Sequence, residues 1–450
     1  MKARVAVIGG GISGLCTAYG LRKAGVEVVL FESGGSVGGN IRTETHDGFL
    51  IERGPNTALA NRDIVELIEE LGISNQLARP NPNARKRYVL LNGKLQPLPT
   101  GPIAFVTSPV FTTSGKLRIF REPFIRTTGD ENESVGEFFE RRFGREIADR
   151  AVDPFVSGIY SGDANKLSIR HAFPRLFEFE QGHRSVIRGL LFSKKDPASK
   201  LPKGAPGTIA FKNGMQTLTD ALFERLGGAV HLNTAVSSIR GLGSGFALET
   251  DAGTDDFSAV VVCTPALVAA EMIDDLDPVL AKRFRSVYYP PVTVVHSAYP
   301  KEKVTKDPDG FGFLVPSAEN RRILGSLWTS SVFENRAPEG YHLFTTFIGG
   351  SRRAELCDLP ENELRQIAEE ELKEILGIDG EPVFSSVKKW QRAIPQYNIG
   401  YEKVVNTVEA FKAANRGVFF CSNFYKGISV GDCVKNGVAT AREVVDFLNW

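Results

Sequence analysis

The chain is 450 residues long, about three times a typical domain, so one or two large cores with insertions are expected. Its 54 Lys and Arg against 53 Asp and Glu leave a formal charge of +1, so no global field draws it to nucleic acid and any anionic ligand must be held locally. Apolar residues at 42% and charged residues at 24% exclude the disordered, collagen-like and disulfide-scaffold classes. Cys16, Cys263, Cys357, Cys421 and Cys433 are scattered and form no CxxC pair, which suits a reduced compartment. Met1 and Lys2 run straight into ARVAVIGGG without the cleavage region of a signal peptide or an Arg-rich transit tract, so a cytoplasmic location is expected. Nor does any stretch reach the roughly 18 apolar residues of a transmembrane helix, so membrane contact, if made, is expected to be peripheral.

Residues 3 to 32 read as a βαβ unit: a strand Ala3 to Ile8, a glycine turn, a helix Ile12 to Ala24 and a strand Val26 to Phe31. From Asn61 a helical period places Ile64, Leu67, Ile68 and Leu71 on one face before Gly72. Residues 87 to 98 suggest a hairpin about Asn92-Gly93. From about 96 to 128 the chain turns rich in Pro, Ser, Thr and aromatics with interleaved basic residues. Ser134 to Glu137 then matches a capping box for a helix to about Arg150, and a second helical stretch lies between Phe173 and Phe192. The span 91–200 is therefore expected to be a largely helical insertion ending in a linker over 193–207.

The α/β rhythm returns with a strand Thr208 to Lys212, an Asn213-Gly214 turn, a helix Met215 to Leu226 and a buried strand Ala259 to Cys263. Residues 290–349 supply further strands and 360–376 a helix, and a last strand Gly417 to Cys421 precedes a closing helix. The fold class is thus α/β with α+β mixing. The expected divisions fall at 1–90, 91–200, 201–270, 271–385 and 386–450, with 91–200 as the insertion.

Gly9, Gly11 and Gly14 form GxGxxG between strand and helix, where backbone amides and a helix N-terminus can hold a pyrophosphate. Glu32 ends the second strand 18 residues after Gly14, placed to accept from an adenosine ribose. Gly38, Gly39, Asn40, Ile41 and Arg42 follow at once, and Gly54, Pro55, Asn56 and Thr57 precede a helix; these glycines allow close backbone approach and Arg42 can meet a phosphate charge. The six histidines lack ligand spacing, so no metal is expected.

Through VIGGGISGL with Glu32-Ser33, SVGGNIRT, ERGPNT, RKRYVLLNGKL, SVGEFFERRFG, DPFVSGIYSGD, GFGFLVPS, LFTTFIGGSR and GISVGDCVKNG, nearly the whole chain resembles the flavin-dependent amine oxidase superfamily and, within it, the protoporphyrinogen oxidases. The resemblance implies a Rossmann-like FAD domain built from 1–90, 201–270 and 386–450, a mixed-sheet substrate domain at 271–385 and a helical insertion at 91–200 that grips substrate and rests on a membrane surface. It implies FAD contacts at Gly9, Gly10, Gly11, Ile12, Ser13, Gly14, Glu32, Ser33, Gly39, Asn40, Gly54, Pro55, Asn56, Thr57, Val236, Trp390, Asn423, Ile428, Ser429 and Val430. For substrate it implies a propionate grip by Arg87, apolar walls from Leu314, Leu327 and Phe347, and a backbone carbonyl of Gly158 facing the pyrroles. On spacing alone Arg87 is equally a hairpin surface charge, and the three apolar residues are core.

The implied reaction is oxidation of protoporphyrinogen IX to protoporphyrin IX in three two-electron steps, with dioxygen as acceptor and hydrogen peroxide as product. No catalytic base is forced by the sequence, since the flavin can accept hydride from a well-placed carbon. Also implied are a homodimer, hand-over to a ferrochelatase-type enzyme and a peripheral seat on the inner face of the cell membrane. Three rivals stay open: coproporphyrinogen III oxidation on the same scaffold, a flavin amine oxidase or carotenoid-type desaturase, and a non-catalytic flavoprotein.

Overall fold

The computed structural model of the chain describes residues 3–193, 201–202 and 207–449; most of the expected linker lies outside the described residues. Five parallel strands make the first sheet, in the order Val418–Phe420, Ala259–Val262, Arg4–Ile8, Glu27–Phe31 and Val230–His231. Their apolar runs are buried on both faces, as a parallel sheet between helical layers requires. The helix Ile12–Lys23 and the closing helix Val430–Leu448 lie against each other. Glycines let them approach: a Cβ on Gly437 would come within 2.6 Å of the Cys16 Cβ, and one on Gly20 within 2.7 Å of the Ala441 Cβ.

The second sheet has seven strands, in the order Phe384–Trp390, Val292–Pro300, Tyr341–Gly349, Ile323–Leu327, Gly310–Leu314, Lys86–Leu91 and Lys94–Pro97. It is antiparallel apart from the pairing of Gly310–Leu314 with Lys86–Leu91. Lys86–Leu91 and Lys94–Pro97 form the hairpin, and its turn residues Asn92 and Gly93 both have positive φ, 51° and 69°. Strands Lys86–Leu91 and Phe384–Trp390 thereby run across the expected boundaries at 90/91 and 385/386. One face of this sheet is closed by the helix Glu361–Leu376, whose Leu364, Ile367, Leu372 and Ile375 are buried with Val295, Phe313, Phe344 and Ile348.

Over the other face lies the insertion. Its helix Val135–Phe143 begins with the capping box, Ser134 Oγ accepting from the Glu137 amide and Glu137 answering the Ser134 amide at 2.9 Å. The expected run to Arg150 is broken at Gly144, φ 94°, after which short turns of α and wider π winding continue to Tyr160. Helices Pro174–His183 and Val186–Phe192 complete it. At its heart Arg142 is fully buried and meets Glu122 and Glu180, while Glu122 also accepts from the Val186 amide at 2.9 Å. Buried opposite charges in this arrangement are satisfied from several sides, so they fix how the helices register against each other.

Candidate active site

The first candidate site gathers at the carboxyl edge of the parallel sheet, where both long helices begin. Gly9 (φ 106°) turns the chain, and the Gly10 amide donates to Glu32 Oε2 at 2.7 Å while the Gly34 amide donates to Oε1 at 2.7 Å. Ser33 lies beside the same carboxylate. The three glycines of the motif separate by function. A Cβ on Gly14 would sit 1.9 Å from the Gly9 carbonyl oxygen, so this glycine exists for helix against strand; a Cβ on Gly11, φ −72°, would meet nothing within 4 Å. Ile12 and Ser13 open the helix, buried, with amides at its positive end.

Further segments are stitched to this loop. Gly38 donates its amide to the Gly10 carbonyl at 2.8 Å, and a Cβ on Gly39 would come to 3.4 Å from the Gly11 Cα. Gly54 is pressed on Asn40, its Cβ position only 1.9 Å from the Asn40 carbonyl oxygen. Arg42 is exposed and reaches Ser36. Pro55, Asn56 and Thr57 then lead to Asn61, whose Nδ2 donates to the Gly431 carbonyl at 2.7 Å and so ties this segment to the last helix. Ser429 caps that helix, accepting from the Asp432 amide at 3.0 Å, with Ile428 and Val430 on either side. Asn423 starts the preceding short helix, and Tyr397 clamps the loop between them: its hydroxyl donates to the Asn423 carbonyl and accepts from the Gly427 amide at 2.8 Å. Val236 follows the segment whose Asn233 and Thr234 amides donate to the Gly34 and Glu32 carbonyls, which ties the start of its strand to the Glu32 segment.

These residues fit FAD. Open space over Gly11, two helix N-termini at one sheet edge and the buried Asn56 Oδ1 without a partner among the described residues suit the pyrophosphate and polar edge of a dinucleotide.

The substrate candidates come together through strand register. Paired residues in a sheet share a face, and the face alternates along each strand. Arg87 pairs with Gly312, Gly312 with Leu327, Leu327 with Thr345 and Thr345 with His296. In the next row Val89, Leu314, Gly325, Phe347, Val294 and Lys388 are joined in the same way. Trp390, two residues beyond Lys388, shares this face. Arg87, Leu314, Leu327, Phe347 and Trp390 therefore project from one side of the sheet, opposite the helix Glu361–Leu376. Gly158 is there too: a Cβ on it would overlap the Leu314 side chain at 2.2 Å. Arg87 is exposed, lies 5.2 Å over the Phe311 ring, and has no carboxylate partner among the described residues, whereas neighbouring Lys86 pairs with Asp309. Trp390 is half-buried and donates from Nε1 to the Arg53 carbonyl at 2.7 Å, joining this face to the Gly54 segment.

Sequence reasoning missed several residues here. Glu52 is buried and accepts from the Met215 amide at 2.7 Å and from Thr43 Oγ1; burial pushes its carboxyl up to about 7 against those bonds. His296, fully buried, has Nε2 at 3.1 Å from the Glu52 carbonyl, and burial with nearby Arg53 takes it down to about 3, so it stays neutral. Gln396 donates to the Tyr160 carbonyl at 2.8 Å, and the Ser168 amide to the Tyr397 carbonyl at 2.9 Å, fastening the insertion to the segment that clamps the 423–427 loop. Lone polar residues within strands carry no local signal of such contacts.

Comparison with known proteins agrees with this architecture. The family profile described as flavin containing amine oxidoreductase matches residues 12–445. Protoporphyrinogen oxidase 2, chloroplastic/mitochondrial, of Arabidopsis thaliana is 34% identical over 479 residues, covering 99% of this chain and 94% of that protein. Coproporphyrinogen III oxidase of Bacillus subtilis is 32% identical, with 99% of each chain covered. A solved Exiguobacterium chain, described provisionally as a protoporphyrinogen oxidase, shares the fold with a TM-score of 0.83 at 23% identity over the full length of both. The chain belongs to the flavin containing amine oxidoreductase family, with FAD as its cofactor, on the branch of relatives named protoporphyrinogen oxidase and coproporphyrinogen III oxidase.

Proposed function

We propose that this flavoprotein oxidises a porphyrinogen, converting protoporphyrinogen IX to protoporphyrin IX with dioxygen as terminal acceptor and hydrogen peroxide as product. The observation that carries the reading is the shared face of Arg87, Leu314, Leu327 and Phe347 beneath Gly158. Gly312 and Gly325, both at positive φ, lie between the leucines on that face and leave it flat enough for a macrocycle. Bound FAD would supply the two-electron acceptor. The chain's own residues orient: the apolar floor excludes water, Arg87 holds a propionate through two parallel bonds, and the Gly158 carbonyl accepts from a pyrrole N–H. Binding of the dinucleotide falls to the residues of the glycine loop, the Gly38–Arg42 turn, Gly54–Thr57, Val236, Trp390 and the Asn423–Val430 loop.

The second reading is coproporphyrinogen III, favoured by the Bacillus subtilis relative, which covers this chain as fully as the Arabidopsis one. Porphyrin fluorescence growth under air, with both porphyrinogens offered separately to FAD-loaded protein, decides between them. Faster turnover of protoporphyrinogen IX supports the first reading, preference for coproporphyrinogen III moves it to the second, and activity with neither sinks both.

The insertion supports a peripheral seat on anionic lipid. Ile103, Phe120, Phe124, Leu191 and Phe192 are each more than 70% or about 70% exposed, with values of 84, 72, 82, 70 and 72%. Their helices are fastened together, Lys116 Nζ donating to the Val106 carbonyl at 2.8 Å and Glu122 binding the start of Val186–Phe192. Exposed Arg121, Arg126 and Arg188 supply positive charge beside them. Among the described residues no helix is long and apolar enough to cross a membrane. Sedimentation with phosphatidylglycerol vesicles should retain the protein and lose it when Phe124 and Leu191 are both changed to Asp; equal retention of that variant overturns the assignment.

A further inference from the structure

Lys388 stands in the row of Val294 and Phe347, on the face of the seven-stranded sheet that carries the substrate candidates. The residue is half-buried, and its ammonium lies 4.7 Å from the centre of the Trp390 ring without a carboxylate partner among the described residues. Its neighbour behaves differently: Lys389 Nζ, on the opposite face, donates to the Leu359 carbonyl. Trp390 cannot drift to accommodate the cation, since its Nε1 is bonded to the Arg53 carbonyl at the root of Gly54–Thr57. A partly buried cation on an aromatic face recovers only part of the hydration it has lost. The position therefore calls for an anion that these residues do not supply.

The geometry points to reduced flavin as that anion: Lys388, seated on Trp390, supplies the positive charge that stabilises the isoalloxazine ring once it has taken up hydride. The inference rests on the proposed placement of Trp390 beside the flavin. The charge balance is simple. A hydride leaving a porphyrinogen carbon carries two electrons and one proton, so the acceptor gains one negative charge while the macrocycle loses a pyrrole proton to solvent. A unit charge held close to the ring in a medium of low effective dielectric favours that product state and acts without touching substrate. Lys388 is thus a positioning residue for charge, separate from the propionate grip of Arg87.

Sulfite provides the test, because it adds to oxidised flavin and leaves a negative charge on the ring without turnover. Titrated into FAD-loaded protein, Lys388→Met should bind sulfite at least tenfold more weakly than the parent, Lys388→Arg within threefold of it, and Lys389→Met within twofold. If Lys388→Met fails to retain FAD, Lys388→Gln against Lys388→Arg makes the same comparison. Equal sulfite affinity in the Met or Gln variant and the parent overturns the inference; a raised KM for porphyrinogen with unchanged sulfite affinity also overturns it, assigning the anion to a substrate carboxylate. Trp390→Phe separates the two levels of the argument. If it leaves flavin absorbance and fluorescence unchanged, the placement of Trp390 fails and the inference falls with it; if it shifts them while Lys388→Met changes nothing, only the role of Lys388 falls.

Discussion

Two glycines three positions apart, Gly11 and Gly14, answer substitution in opposite ways although they belong to one motif. A side chain at Gly11 enters open space, where the proposed FAD site lies, so Gly11→Val should leave the apoprotein's thermal midpoint within a few degrees of the parent and abolish FAD retention. At Gly14 a side chain collides with backbone, so Gly14→Val should lower the midpoint before any cofactor is added. Differential scanning of both apoproteins distinguishes them. If Gly11→Val destabilises the apoprotein as Gly14→Val does, the open cradle is misassigned. Arg87, exposed and without a carboxylate partner among the described residues, makes a third case. Arg87→Ala should raise KM for porphyrinogen about tenfold or more with FAD content unchanged, the loss of a charge-assisted bond worth roughly 1.5–3 kcal/mol.

Buried Glu52 makes the pH dependence of stability specific. Its carboxyl is raised to about 7, so between about 4.5 and 7 the folded chain keeps a proton that the unfolded chain releases. Stability from this group is full below that window and falls as pH rises through it, by about 3 kcal/mol at most. His296 works from the other side: lowered to about 3, it costs stability as pH falls below about 6.5, where only the unfolded chain takes up the proton. The two slopes oppose each other in the parent, so the variant difference is the measurement. Glu52→Gln should gain on the parent in urea midpoint between pH 5 and pH 8; a constant difference across that range would show that Glu52 does not titrate in it.

At the scale of elements, local signals were legible and long-range ones were not. The βαβ unit, the Asn61-capped helix, the Asn92-Gly93 hairpin and the Ser134–Glu137 box depend on neighbours within a few residues, and each forms as the sequence indicates. Asn61 accepts from the Ile64 amide at 3.0 Å and Gly72 ends that helix at φ 76°. The expected helix to Arg150 fails for an equally local reason, since Gly144 sits at φ 94° and its Cβ position would meet Arg118, a residue 26 positions earlier. Register across the seven-stranded sheet is different in kind. Nothing near Arg87 announces that it will share a face with Phe347, because that depends on three successive pairings between distant segments. The same holds for Gly437, which reads as an ordinary helix residue yet lies against Cys16. Gly437→Leu should force the first and last helices apart and lower the thermal midpoint by about 1–3 °C, overpacking costing about 1–3 kcal/mol; a midpoint equal to the parent's would show that this contact yields.

For the whole molecule the decisive joint is Tyr397, because it touches parts that the chain order keeps apart. Its hydroxyl holds the 423–427 loop at both ends, its carbonyl accepts from Ser168 in the insertion, and its ring packs on Tyr401 at 4.7 Å between centroids. Burial pushes its phenol well above the ordinary value, so it remains a neutral donor throughout the physiological range. The backbone bond to Ser168 survives substitution, whereas both hydroxyl bonds do not. Tyr397→Phe should therefore leave the insertion docked and loosen only the flavin loop, weakening FAD binding about fivefold to a hundredfold for one buried amide and one carbonyl left unsatisfied at roughly 1–3 kcal/mol. Vesicle retention should stay that of the parent while FAD dissociates more readily in dilution. Were both lost together, the insertion and the loop proposed to bind FAD would be one cooperative unit rather than two parts sharing a hinge residue, and the helices proposed to face lipid would then bear directly on cofactor retention.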